Sequence, residues 1–185
     1  MNIFQHIFPH DEKSWFEKGV SLFKVKKYLK ATDAFVQVIK INPRNDKAWN
    51  NKGVCILSQV HYNFGPGIPY IQKIKDLNLY DAYDAIGKSV EINPEQAIYW
   101  YNKAFFSIIY GNLSQANQEY NKAIDIQPEF CDAWYNKFVL LVGISKIEAL
   151  DEAKVCENKL KQKNCWNKYK EFKLQEYARL QIIME

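Results

Sequence analysis

SWFEKG at 14–19, AWNNKG at 48–53, YWYNKA at 99–104 and AWYNKF at 133–138 are one phrase written four times. Their tryptophans stand 34 residues apart from Trp15 to Trp49 and again from Trp100 to Trp134, and 51 apart between Trp49 and Trp100. A second phrase recurs as VIKINP, SVEINP and AIDIQP, ending on Pro43, Pro94 and Pro128, which are spaced by 51 and then 34. Two residue types thus share one 34-residue period, and both place a 17-residue insertion in the same unit.

Each unit reads as two helices. Trp15, Gly19 and Leu22 are four and then three residues apart, as are Trp49, Gly53 and Ile56, so each set lies on one helix face. The small residue lets a second helix approach. That second helix carries Ala31, Phe35, Val38 and Ile39 in the first unit and Ala116, Tyr120, Ala123 and Ile124 in the third. Proline cannot continue a helix and disfavours helical backbone in the residue before it, so Asn42-Pro43, Asn93-Pro94 and Gln127-Pro128 are stops. Neither helix buries its stripe alone, and stacking of units is required.

A 34-residue unit with Trp, Gly or Ala four on, Ala sixteen on, an aromatic twenty on and Pro twenty-eight on resembles the tetratricopeptide-repeat family. The resemblance implies an all-α fold, a right-handed alpha-alpha superhelix of about four helix pairs with a C-terminal capping helix. The units fall at 12–45, 46–96 with the insertion within 61–79, 97–130, and a degenerate 131–164. The last carries Phe138 for the small residue, Leu150 for Ala and Gln162 for the closing Pro. Residues 1–11 form a lead segment. From Trp166 onward Tyr169, Phe172, Leu180 and Ile183 share a helical side, the pattern of a cap over 165–185.

By the same resemblance, first helices line a concave surface with the residues one, five and eight after each Trp. These are Phe16, Val20 and Phe23; Asn50, Val54 and Leu57; Tyr101, Phe105 and Ile108; Tyr135, Val139 and Val142. Tyr and Phe are favoured anchors at protein contacts, which points to Tyr101, Phe105 and Tyr135 as binding residues. The valines serve either the groove or the packing of the next repeat. Asn51, Asn102 and Asn136 recur two after the Trp, with Glu17 breaking the column. An amide column can pair with a peptide backbone, resembling the asparagine ladder of O-linked N-acetylglucosamine transferase, or can make local bonds between helices. The chaperone-tail carboxylate clamp is absent, since Phe16 and Val20, or Asn50 and Val54, occupy its opening positions. Lys18, Lys52, Lys103 and Lys137, three after each Trp, read as stems on an apolar surface with heads in water.

Composition narrows the function further. An apolar content of 48% supports a packed core, and 25 basic against 21 acidic residues, mostly interspersed, describe a solvated surface. Only Arg44 and Arg179 are arginines, which argues against a nucleic-acid partner. The longest apolar run, FVLLVGI at 138–144, is too short to span a bilayer, so no membrane partner is expected. The Lys-rich stretch 159–173 reads as a solvated helix back. Cys55, Cys131, Cys156 and Cys165 lie apart without a C-x-x-C pair and read as reduced thiols of a cytoplasmic protein. His6 and His10 flank Pro9 without a third ligand, and no phosphate-cradling loop exists, so neither an enzyme nor a cofactor is expected. The expected role is a scaffold whose groove takes a peptide or helix of a protein partner, with self-association into a homo-oligomer as the alternative.

Overall fold

The computed structural model describes residues 11–64, 79–144 and 147–162. Among them are eight helices: α1 (Glu12–Lys24), α2 (Tyr28–Ile41), α3 (Asp46–Phe64), α4 (Leu79–Ile92), α5 (Ala97–Ile109), α6 (Leu113–Ile126), α7 (Cys131–Ile144) and α8 (Ile147–Gln162). They pair as α1/α2, α3/α4, α5/α6 and α7/α8, and the principal contacts run from each helix to its neighbours along the chain. This is the stacked architecture that the period requires. α3 continues to Phe64, so the start of the insertion lengthens the first helix of its unit. The rest of the insertion, the lead segment up to residue 10 and the capping helix lie outside the described residues.

Local chemistry sets the helix ends. Asp11 opens α1 by accepting the Ser14 N–H at 2.7 Å, which holds its carboxyl below the ordinary value. α1 closes with the Lys26 N–H on the Phe23 carbonyl and the Lys27 N–H on the Leu22 carbonyl, each at 2.9 Å, around Lys26 in left-handed backbone (φ 59°). α5 closes identically, with Gly111 (φ 75°) bonding Ile108 and Asn112 bonding Ser107. Of these two turns, only that of the third unit uses glycine there.

Packing within a pair depends on the small residue. A Cβ on Gly19 would stand 2.8 Å from the Phe35 ring, and one on Gly53 would stand 2.7 Å from Ile86 and 2.9 Å from the Ala82 carbonyl oxygen. Ala104 takes the equivalent place in the third unit and is fully buried. The second-helix stripes are core: Ala31, Phe35 and Val38 in α2, and Ala116, Tyr120, Ala123 and Ile124 in α6 are buried. In the fourth unit Phe138 is buried with Tyr135, Leu141, Ala153, Cys156 and Leu160.

The junctions between units explain why tryptophan and proline share a period. Each Trp indole N–H donates to the carbonyl of the proline six residues before it: Trp49 to Pro43 at 2.9 Å, Trp100 to Pro94 at 2.8 Å and Trp134 to Pro128 at 2.9 Å. The first helical carboxylate adds a second tie. Glu12 accepts from the amides of Asn42 (2.9 Å) and Asn45 (2.6 Å). Asp46 accepts from Asn93 (2.8 Å) and the Tyr99 hydroxyl (3.1 Å). Burial, and then the adjacent Asp46 charge, push the Tyr99 phenol up from its ordinary value. In the third unit Ala97 stands at this position and no such tie is possible.

Candidate partner-binding groove

α1, α3, α5 and α7 supply the expected groove residues, but their side chains are differently placed. Phe16 is half-buried and meets Phe35 edge-on, with ring centroids 5.5 Å apart. Val20 and Phe23, both half-buried, line an apolar cavity of about 170 Å³ between α1 and α3, with Phe35, Asn51, Val54 and Cys55 completing the wall. Phe23 is held by an edge contact to Tyr28 at 5.4 Å. Leu57 and Phe105 are half-buried against the cluster of Leu79, Ala82, Ile86 and Phe106.

Four of the remaining expected residues, Asn50, Asn102, Tyr101 and Asn136, tie first helices together. Asn102 donates to the Asn50 side-chain oxygen at 2.8 Å, and Asn50 donates to Asn51 at 3.2 Å. Asn136 donates to the Tyr101 hydroxyl at 2.8 Å. Tyr101 also leans on Tyr120 (6.0 Å) and Phe130 (5.0 Å). Asn50 and Tyr135 are each only 7% exposed, so they present little surface to a partner. Asn102 and Asn136 of the amide column thus bond adjacent first helices, one of the two readings open from sequence, while Asn51 accepts from Asn50 of its own helix.

The lysine row corrects the sequence reading. Lys52 pairs with Asp81 at 2.6 Å, Lys103 with Glu119 at 3.7 Å, and Lys137 with Glu152 at 2.6 Å and the Asn121 side-chain oxygen at 2.5 Å. Each ammonium, that of Lys18 included, also lies 4.4–5.9 Å from the ring centre of its own unit's Trp. The heads of Lys52, Lys103 and Lys137 are held between helices, whereas Lys18 is exposed as the sequence reading had it. Glu119 is fully buried, and it accepts further from Ser107 (2.6 Å) and Gln115 (2.9 Å). The carboxylate partners fall at different distances from their Trp, so no periodic acid betrayed them in the sequence.

The cysteines differ too. Cys55 and Cys156 are free and buried, and burial pushes their thiols up to about 12 and about 11. Cys131 is disulfide-bonded, which corrects the expectation of a reduced thiol there. Spacing alone does not reveal such a pairing, because disulfides depend on which cysteines the fold brings together. Among the described residues, no group of three His, Cys, Asp or Glu side chains could hold a metal ion, and no helix is long and apolar enough to cross a membrane. His6 and His10 lie outside the described residues.

The tetratricopeptide repeat family matches residues 12–45, the first unit. No curated protein sequence matches the chain. Among solved structures, MamA from Desulfovibrio magneticus RS-1 superposes with a TM-score of 0.65 at 18% identity, covering 84% of this chain and 76% of that one. A Thermobaculum terrenum O-GlcNAc transferase mutant gives a TM-score of 0.57 at 18% identity over 70% of this chain and 22% of that one. The first tetratricopeptide domain of Spaghetti (RPAP3), bound to the HSP90 peptide SRMEEVD, gives 0.50 at 16% identity over 80% and 92%. At these identities the likeness is one of fold. The chain thus carries a tetratricopeptide repeat at 12–45, and its helix pairs are stacked as in these solenoids.

Proposed function

We propose that the chain is a non-enzymatic interaction module that receives a peptide or helix of a protein partner along its first helices. The observation that carries this reading is the apolar cavity between α1 and α3, edged by the Asn51 amide. Its 170 Å³ has room for one aliphatic or aromatic side chain, and a neighbouring amide can both donate to and accept from the backbone that bears it. Phe16, Tyr101, Asn102, Phe105 and Asn136 extend the surface along α1, α5 and α7. Asn50, Leu57 and Tyr135 contribute more to its shape than to contact. The peptide bound to the RPAP3 domain illustrates the occupancy proposed here. Nucleic acid is not part of this reading. A cytoplasmic location is, resting on unpaired cysteine spacing, and the disulfide at Cys131 weighs on the other side.

The test is photo-crosslinking in native extract from probes at positions 20, 51 and 54, beside a control probe at exposed Lys122 on α6. A protein joined from all three groove positions and not from the control supports the reading; equal labelling from the control overturns it. Self-association is the second reading, favoured by Tyr80 (75% exposed) and Tyr110 (51%) near the helix-pair turns. A mass that falls on dilution supports it, and a constant monomer mass removes it.

A further inference from the structure

The turn joining α1 to α2 carries Lys24, Lys26, Lys27 and Lys30, all exposed, around Val25 (61% exposed) and Leu29 (67%). No Asp or Glu stands between Glu17 and Asp33. Fold stability accounts for Lys24, in the last turn of α1, but not for the other three lysines. Lys26 occupies left-handed backbone where the third unit has Gly111, and Lys27 and Lys30 sit at the start of α2, against the helix dipole. Lys27 caps α2 without a side-chain hydrogen bond. The corresponding α5–α6 turn, Tyr110-Gly111-Asn112-Leu113, carries no lysine at all. The helix pair is closed beneath the turn by the Phe23–Tyr28 contact and the two backbone bonds around Lys26, so the tip is a firm projection.

We propose that this tip docks the protein on an anionic membrane surface, with Val25 and Leu29 entering the interface and the four lysines among the headgroups. A hairpin tip is convex. It cannot enclose a peptide, but it can press two apolar side chains into a planar layer while the ammonium groups around them meet negative charge. Lysine, a point charge without a planar fork, suits diffuse charge better than a single bidentate site. Among the described residues no helix is long and apolar enough to cross a membrane, which does not bear on a docked tip, and the proposal is independent of the groove.

The test is co-sedimentation of the full chain with phosphatidylcholine vesicles containing either none or about a third phosphatidylserine. Binding is expected only with phosphatidylserine and should fall as salt rises. Each lysine near such a surface is worth about fivefold in partitioning, so the Lys24→Gln, Lys27→Gln, Lys30→Gln variant should bind on the order of a hundredfold more weakly. Leu29→Ser should weaken vesicle binding several-fold, since that side chain would enter the interface. All four side chains are exposed, and circular dichroism checks that both variants stay folded. No parental binding to anionic vesicles, or unchanged binding by the triple variant, overturns the proposal. So does equally tight binding to single-stranded RNA or polyglutamate that Leu29→Ser leaves unchanged alongside unchanged vesicle binding, which would make the tip a general polyanion contact.

Discussion

Gly53→Ala and Gly87→Ala place the same methyl group on two helices of one pair and should move stability in opposite directions. Replacing glycine by alanine inside a helix gains about 1 kcal/mol through backbone entropy. At Gly87 a Cβ meets nothing within 4 Å, so the whole gain is available. At Gly53 the new methyl would lie 2.7 Å from Ile86 Cγ1 and 2.9 Å from the Ala82 carbonyl oxygen. Ile86 is fully buried among Leu79, Phe106 and Ile109, and a backbone carbonyl does not step aside without moving α4. Overpacking of this kind costs about 1–3 kcal/mol, and the backbone contact puts Gly53 towards the upper end. The net change is a loss of about 1–2 kcal/mol. For a chain of this length each kcal/mol moves Tm by about 2–4 °C. Thermal unfolding followed by circular dichroism should therefore show Gly53→Ala melting roughly 2–8 °C below the parent and Gly87→Ala about 2–4 °C above it. A Gly53→Ala protein at least as stable as the parent would refute the close-approach argument.

Three other outcomes follow from named contacts. Lys26→Gly removes the left-handed strain at φ 59° and should stabilise the fold by about 1 kcal/mol in denaturant titration, while lowering vesicle binding about fivefold. Lys137→Met leaves Asn121 and Glu152 without their buried ammonium; because Glu152 is partly exposed, the loss should be about 2 kcal/mol, read as a lower urea midpoint. The Cys55 and Cys156 thiols are raised above their ordinary value near 9, to about 12 and about 11. The unfolded chain sheds these protons first, so stability should fall as pH rises past about 9. At pH 10 the loss relative to pH 8 should be roughly 3 kcal/mol, and the Cys55→Ala, Cys156→Ala variant should show a flatter slope.

The repeat was legible because the residues that make it are periodic. Trp, Gly or Ala, and Pro each recur at one offset, and their structural roles recur with them, down to the indole bond six residues long. The polar ties were harder to see. Asp81, Glu119 and Glu152 answer the same lysine position from three different offsets on the second helix, so only the helix pairing reveals them. The same applies to Tyr101 and Asn136, which are separate groove candidates in the sequence and one hydrogen-bonded unit in the structure. The cavity beside Asn51 combines α1, α2 and α3, a conjunction set by tertiary packing.

The bond from indole to proline carbonyl also limits how such a protein can grow over evolutionary time. It joins residues six apart across each junction, and lengthening that stretch would break it. The 17 extra residues of the second unit fall instead between the two helices of its pair, where they begin by lengthening α3 to Phe64. New sequence, and with it new specificity, has an open door at the hairpin tips and a closed one at the junctions.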